Sequence, residues 1–188
     1  RDPEKIVAEI IDLNRRFKVQ QFMFVDSVFN IPVDHAEKIC REFIRQKVNV
    51  PWTGWYSERV LDEDFYKLAY EAGCRHFIFS PDAYNDRSLK LLKKNLRVKD
   101  IHKIYDLARH QTGARFAFNF FANPPGQTYM DFFRLLGFWL KVRFTLGEKL
   151  YYFGLNNIRI EPETEIYRLA VEEGVLDPQR DMLPLTSA

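Results

Sequence analysis

Two periods of apolar residues alternate along the chain. Ile6, Val7, Ile10, Ile11 and Leu13 recur near helical spacing and predict a helix over 4–17 with one buried face, opened by a capping Asp2 and by Pro3 at its first position. Strand 21–25 follows, with its loop at 26–30. Asp34 and Glu37, three apart, read as a capping box for a helix to about 47. Residues 50–56, rich in Trp and Tyr, read as a strand; Asp62 caps a helix to 72, which Gly73 stops. The short run 76–79 is a strand, and Ser80 to Asp86 crowds together residues that hydrogen-bond backbone locally, which ends a strand and opens a helix capped by Asn85 or Asp86. Lys93 and Lys94 sit where the dipole of that helix favours cations.

The same alternation continues to the end. Asp100 caps a helix to about 112, closed by Gly113; 115–121 is a strand with Asn119 as its neutral polar side chain. Asn123-Pro124-Pro125-Gly126 is a turn, 128–146 a long and very aromatic helix, and 150–160 the last strand. A loop at 161–164 and a helix at 165–173, stopped by Gly174, complete a domain over 1–175, with 176–188 a tail or linker.

A helix followed by five βα steps predicts an α/β fold with a parallel sheet and right-handed crossovers. The strands are nearly continuous apolar runs, as burial on both faces requires. No Gly-rich phosphate loop follows any strand, which argues against dinucleotide and P-loop folds. Polar groups appear instead at several strand ends: Asp26 and Ser27, Trp55 to Arg59, Ser80 and Asp82, Asn119 and Asn123, Asn157 and Arg159. One site shared among many strand ends is the pattern of a (β/α) barrel, so the expected architecture is a partial TIM-type barrel of five parallel strands with outer helices.

Composition narrows the partners. A net charge of +2 is too near neutral to point to nucleic acid or an anionic membrane. The most apolar stretch, 132–144, is interrupted by Arg134, Lys141 and Arg143 and is too short to span a bilayer. Cys40 and Cys74 lie far apart on predicted regular elements, with neither metal-site nor disulfide-framework spacing, so free buried thiols in a reducing cytoplasm are expected. The four histidines are scattered and suggest neither a metal site nor a triad. A helix start at the first residues, after Arg1 instead of a methionine, reads as a piece of a longer chain.

The ordered motifs resemble those of the radical S-adenosylmethionine enzymes, in the branch often fused to a cobalamin-binding domain. Phe24-Val25-Asp26-Ser27-Val28-Phe29 resembles Phe-x-Asp-Asp-x-Phe at the end of the family's second strand, with Ser27 for the second Asp. Arg59, Leu61-Asp62 and Ala72-Gly73-Cys74 are similar to the Arg, Leu-Asp and Ala-Gly-Cys of the next unit. Phe79 to Leu89 with Lys93-Lys94 aligns without a gap on Phe-Gly-Ile-Glu-Ser-Gly-Ser, a helix start and Lys-Lys. Asn123 to Thr128 resembles a Pro-Gly-Glu-Thr turn, and Glu161 to Gly174 resembles Pro-Gly-Thr, a helix with Ala, then Gly. The resemblance covers residues 2–174. The chain departs from it in two ways: the Cys-x3-Cys-x2-Cys loop is absent, and Asp82 stands where the family usually has Glu, with Ala83 for Ser.

The resemblance implies strands two to six of a six-stranded barrel, with the cysteine loop upstream of Arg1 and a cobalamin-binding domain as a frequent further part. It implies that a [4Fe–4S] cluster, held by that upstream loop, reduces S-adenosylmethionine to give a 5′-deoxyadenosyl radical that abstracts hydrogen from a small-molecule substrate, while the barrel binds, orients and excludes water. On this resemblance Asp26 and Ser27 accept from the methionine ammonium and Asp82 bonds the ribose. Asn119 addresses the methionine carboxylate or the adenine, and Phe121 or Ile160 covers the adenine face. Arg59 pairs with an anionic part of cofactor or substrate, and Ser80 and Asn157 complete the cofactor-binding set. No residue here holds the cluster, so the isolated chain is expected to be inactive.

Two other classes fit the same residues. One is a partial-barrel scaffold or binding module. The other is a hydrolase or isomerase on a degenerate barrel using Asp26, Asp82 and Arg59, which lacks an evident carboxylate pair or nucleophile. A barrel without its first strand exposes an edge at 20–25, so a homodimer through that edge or the aromatic helix, or an edge covered by the termini, is expected.

Overall fold

The computed structural model describes residues 1–179; most of the expected tail, 180–188, lies outside the described residues. The elements are α1 (Pro3–Phe17), β1 (Phe22–Met23), α2 (Val33–Arg45), β2 (Trp52–Tyr56), α3 (Glu63–Glu71), β3 (Cys74–Asp82), α4 (Asp86–Leu91), α5 (Val98–His110), β4 (Arg115–Phe121), α6 (Tyr129–Leu146), β5 (Leu150–Asn156) and α7 (Glu165–Glu172). The five strands form one sheet in the order β1-β2-β3-β4-β5, every pair parallel. Sequential order without a reversal is barrel-like; a doubly wound sheet reverses its strand order at a switch point.

Local chemistry accounts for most boundaries. Asp2 accepts hydrogen bonds from the Glu4 and Lys5 amides with Pro3 at the first helical position, and Asp62 accepts from Phe65 N at 2.8 Å. Gly73 ends the α3 region at φ +100°, a conformation glycine adopts without steric cost. Thr128 and Asp131 form a reciprocal box at the start of α6.

Other boundaries differ from the expectation. The predicted box at Asp34 is absent: Pro32 is the N-cap of α2, and Glu37 pairs with Arg41 at 3.3 Å one turn along instead. Asp100 is not a cap but the third residue of α5, where its carboxylate accepts the Arg97 amide at 2.9 Å. Asn85 caps α4, and Asp86 reaches forward to Val98 N at 2.8 Å to open α5. The predicted strand 21–25 shrinks to two residues, although Phe24 N still bonds Thr53 O; its other side has no partner strand among the described residues.

The largest difference concerns β3, which runs through Ser80 and Pro81 to Asp82. The register against β4 shifts between Phe79 and Asp82, and Asp82 takes φ +69°. Pro81 donates no ladder bond, so the strand continues past it as an irregularity. The last strand is shorter than expected. It ends at Asn156, leaving Asn157 and Arg159 outside the sheet.

Alternate residues on each strand point to opposite faces. Trp52, Tyr56, Phe77, Phe79, Phe116, Phe118 and Phe120 turn toward the helices and form the core with Phe43, Phe65, Tyr66, Ile101, Ile104, Leu135 and Phe138. Rings in register stack across strands: Phe77 on Phe116 and Phe79 on Phe118 at 5.7 Å each, and Phe120 on Phe153 at 5.1 Å. On α6 the core-facing stripe is Leu135, Phe138, Val142 and Leu146; Phe133 and Phe144 stand exposed on the rest of it. The other face of the sheet, the inside of the partial barrel, carries Thr53, Trp55, Ile78, Asn119, Tyr152 and Gly154. No described helix is long and apolar enough to cross a membrane.

Candidate functional site at the strand ends

The C-terminal ends of β1, β2 and β3 meet around a cavity of about 220 Å³. It is lined by Ser27, Val28 and Ile31 after β1, by Trp55 to Arg59 at the end of β2, by Ser80 on β3, and by Lys94 to Leu96 after α4. Three elements far apart in sequence thus deliver Ser27, Arg59 and Ser80 to one mouth. Parallel strands with right-handed crossovers put every βα loop at the same edge.

The remaining predicted residues are distributed around that edge. Asp26 is exposed beside Ser27, with no side-chain partner among the described residues. Asp82 is half-buried and engaged by Lys94, whose Nζ lies 2.5 Å from Asp82 Oδ2 and donates to the Ser80 carbonyl at 3.2 Å. Asn119 lies on the inner face one step beyond the Phe79–Phe118 pair. Its Nδ2 donates to Tyr152 Oη at 3.1 Å and approaches Phe79 O at 3.5 Å, while its Oδ1 lies against Gly154. Phe121 ends β4 half-buried, paired in register with Asn156 and away from the cavity. Asn157 is exposed beyond β5, and Arg159 is taken up by Glu161 at 2.7 Å. Ile160 is half-buried in the same loop. The structure therefore gathers Ser27, Arg59 and Ser80 at the cavity, leaves Asp26 and Asp82 at the strand ends outside its lining and Asn119 within β4, and does not bring Phe121 or Asn157 to the cavity.

Two residues of the cavity were not singled out from sequence. Lys94 is one; its position in a Lys-Lys pair at a helix end gave it an electrostatic reading, yet α4 stops at Leu91 and the side chain folds back onto β3. Glu58 is the other. It is 5% exposed, its Oε1 has no hydrogen-bond partner, and burial pushes its carboxyl up to about 7 against the lesser pull of its own backbone N–H and Lys94. The only sequence signal was a Glu between two polar residues at a strand end, where solvation is the ordinary expectation.

The thiols are unsuited to metal. Cys40 is pushed up to about 12 by burial, and burial raises Cys74 further despite the Tyr56 hydroxyl 3.1 Å from its sulfur. Among the described residues no group of three His, Cys, Asp or Glu side chains is placed to hold a metal ion. The donor set of this chain does not fit a [4Fe–4S] cluster, which takes thiolate ligands.

The fold is that of the cobalamin-dependent radical S-adenosylmethionine enzymes. The chain superimposes with a TM-score of 0.78 on TsrM from Kitasatospora setae, a radical S-adenosylmethionine methyltransferase with cobalamin and a [4Fe–4S] cluster bound, at 19% identity over 92% of this chain and 32% of that one. A second TsrM structure, with tryptophan substrate and the analogue aza-SAM, gives 0.71 at 19% identity over 83% and 30%. The cobalamin-dependent radical enzyme OxsB gives 0.60 at 12% identity over 93% and 31%. In sequence the chain is similar to cytidylyl-2-hydroxyethylphosphonate methyltransferase of Streptomyces wedmorensis, 23% identical over 195 residues, covering 94% of this chain and 36% of that protein. The chain thus spans about a third of the length of the proteins it matches. No protein-family model matches the sequence.

Proposed function

We propose that this chain is the S-adenosylmethionine- and substrate-binding part of a radical S-adenosylmethionine enzyme of the cobalamin-dependent methyltransferase kind. The observation that carries the reading is the single mouth at the ends of β1 to β3, built from Ser27, Arg59 and Ser80 on the fold shared with TsrM. The donors that line it, with those on the surrounding strands, suit a zwitterionic nucleoside sulfonium. The free carboxylate of Asp26 and the hydroxyl of Ser27 serve the methionine ammonium, Arg59 its carboxylate, the unused Oδ1 of Asp82 a ribose hydroxyl, and Oδ1 of Asn119 the adenine amine. Asp82 is held by Lys94, which presets its orientation although it is one methylene shorter than Glu.

A cluster would be held by a Cys-x3-Cys-x2-Cys loop upstream and would supply one-electron reduction; cobalamin would belong to a further domain. The residues described here bind, orient and exclude water. The parent works in the cytoplasm on a small molecule, and the 188-residue piece alone is inactive. Its bare edge at β1 and its exposed aromatic helix face support a homodimer of the isolated chain.

Calorimetric titration of the chain with S-adenosylmethionine tests the reading, together with the coding sequence upstream of Arg1. Saturable binding weakened at least tenfold by Ser27→Ala combined with Asp26→Ala is expected. An upstream region lacking a three-cysteine loop, or no binding by a folded chain, overturns it.

A further inference from the structure

Glu58 has no role in the binding set above, yet among the described residues it is the buried carboxyl with an unpartnered oxygen. A carboxyl that is 5% exposed, with an oxygen that meets no donor, costs free energy wherever it sits without a purpose. It lines the cavity beside the half-buried Trp55, where Val28, Ile31 and Leu96 supply apolar walls and Ser27, Ser57, Ser80 and Asn95 polar ones. The nearest cation does not satisfy it, because Lys94 is spent on Asp82 and the Ser80 carbonyl. Arg59, next in sequence, is exposed.

We infer that Glu58 and Trp55 form a cation-selective subsite, in which the Glu58 carboxylate receives the sulfonium of the cofactor or the ammonium of a substrate beside the indole. A buried, unpartnered carboxylate beside an aromatic side chain is the arrangement that rewards an organic cation over a neutral isostere. The unpaired oxygen is then a vacant acceptor that the ligand completes, and the ligand's charge replaces the counter-ion that the fold withholds. The inference uses the proposed reading only for the identity of the sulfonium cofactor. The cation has two sources, the cofactor or an amine-bearing substrate.

The groups that face Glu58 are Lys94 from the loop after α4, Asp82 from the end of β3 and Asp100 from α5. With its carboxyl near 7, Glu58 is about half protonated at pH 7, so pairing with a cation expels about half a proton. An amine that stays protonated then binds more tightly as pH rises from 6 to 8.

Calorimetry at pH 7 in two buffers of different ionisation enthalpy reads the proton directly, on the full chain and on Glu58→Gln. Three probes separate the sources: S-adenosylmethionine, 5′-methylthioadenosine, which is neutral and lacks the ammonium, and phenethylamine, an apolar primary amine. Proton release with S-adenosylmethionine, at least a tenfold loss in Glu58→Gln and unchanged 5′-methylthioadenosine binding assign the cation to the cofactor. The same pattern with phenethylamine alone assigns it to a substrate amine; if S-adenosylmethionine then fails to bind at all, the subsite stands and the proposed function falls. No proton release with either cation, or equal affinities in Glu58→Gln, overturns the subsite while leaving the proposed function intact. Unchanged 5′-methylthioadenosine binding or an unchanged circular dichroism spectrum shows that the variant folds.

Discussion

Asn119 and Gly154 face each other across β4 and β5, and the space of the missing side chain is occupied by the amide: a Cβ at 154 would overlap Asn119 Oδ1. The pair explains a glycine inside a strand, where it otherwise weakens the sheet. Gly154→Ala is expected to lower stability by about 1–3 kcal/mol through overpacking, and adding Asn119→Ala should recover most of that loss. Urea unfolding of the two singles and the double measures the coupling. Additive losses would show that the two residues do not contend for this space.

Burial of Glu58 carries a pH signature. Its folded value of about 7 lies above the ordinary 4.5, so the unfolded chain gives up this proton first. The stability contributed at acid pH is lost as pH rises from about 4.5 through 7, by about 3 kcal/mol at most. Glu58→Gln should therefore gain stability relative to the parent at pH 8 and show little of that gain at pH 4.5. Chemical unfolding at the two pH values checks it, and a pH-independent difference contradicts a buried acid.

Lys94 holds the end of β3. Removing it as Lys94→Met leaves the half-buried Asp82 carboxylate and the Ser80 carbonyl without this donor. The Lys94 side chain is 36% exposed, so the cost should be about 1–2 kcal/mol, below the loss from a fully buried pair. Asp82→Asn, which keeps the shape, should cost less. Thermal unfolding of both variants orders them, and equal stabilities for Lys94→Met and the parent would mean that the pair is only superficial.

The edge formed by β1 is short and bare, with Val25 86% exposed just beyond it. Sedimentation equilibrium of the isolated chain should show a dimer, and Val25→Lys should shift it toward monomer, since an edge charge opposes strand pairing. Phe144→Glu on the exposed face of α6 distinguishes a helix-mediated dimer. A parent chain that is monomeric at all concentrations rejects both interfaces.

Much of the fold was legible in the chain because it is written in local patterns. The apolar runs at 50–56 and 115–121 became β2 and β4 within two residues of expectation, and Asp2, Asp62 and Asn85 cap helices where short polar side chains precede helical periods. At Pro81 the expectation missed through a distant partner and at Asp34 through a near one. Pro81 reads as a strand breaker, yet β4 alongside carries the strand on to Asp82. Asp34 reads as a cap, but the chain enters α2 from Pro32.

What the sequence determined alone is the succession of elements, the parallel sheet that follows from βα alternation, and the edge at which polar loop residues gather. Those depend on side-chain period and on chain handedness, both local properties. Only the tertiary structure decided which polar residues share a space. It placed Ser27, Arg59 and Ser80 together, folded Lys94 back onto Asp82, and left Phe121 and Asn157 apart from them. It also buried Glu58, a residue that local pattern assigns to solvent, because exposure is set by whatever the other strands and loops lay over a side chain.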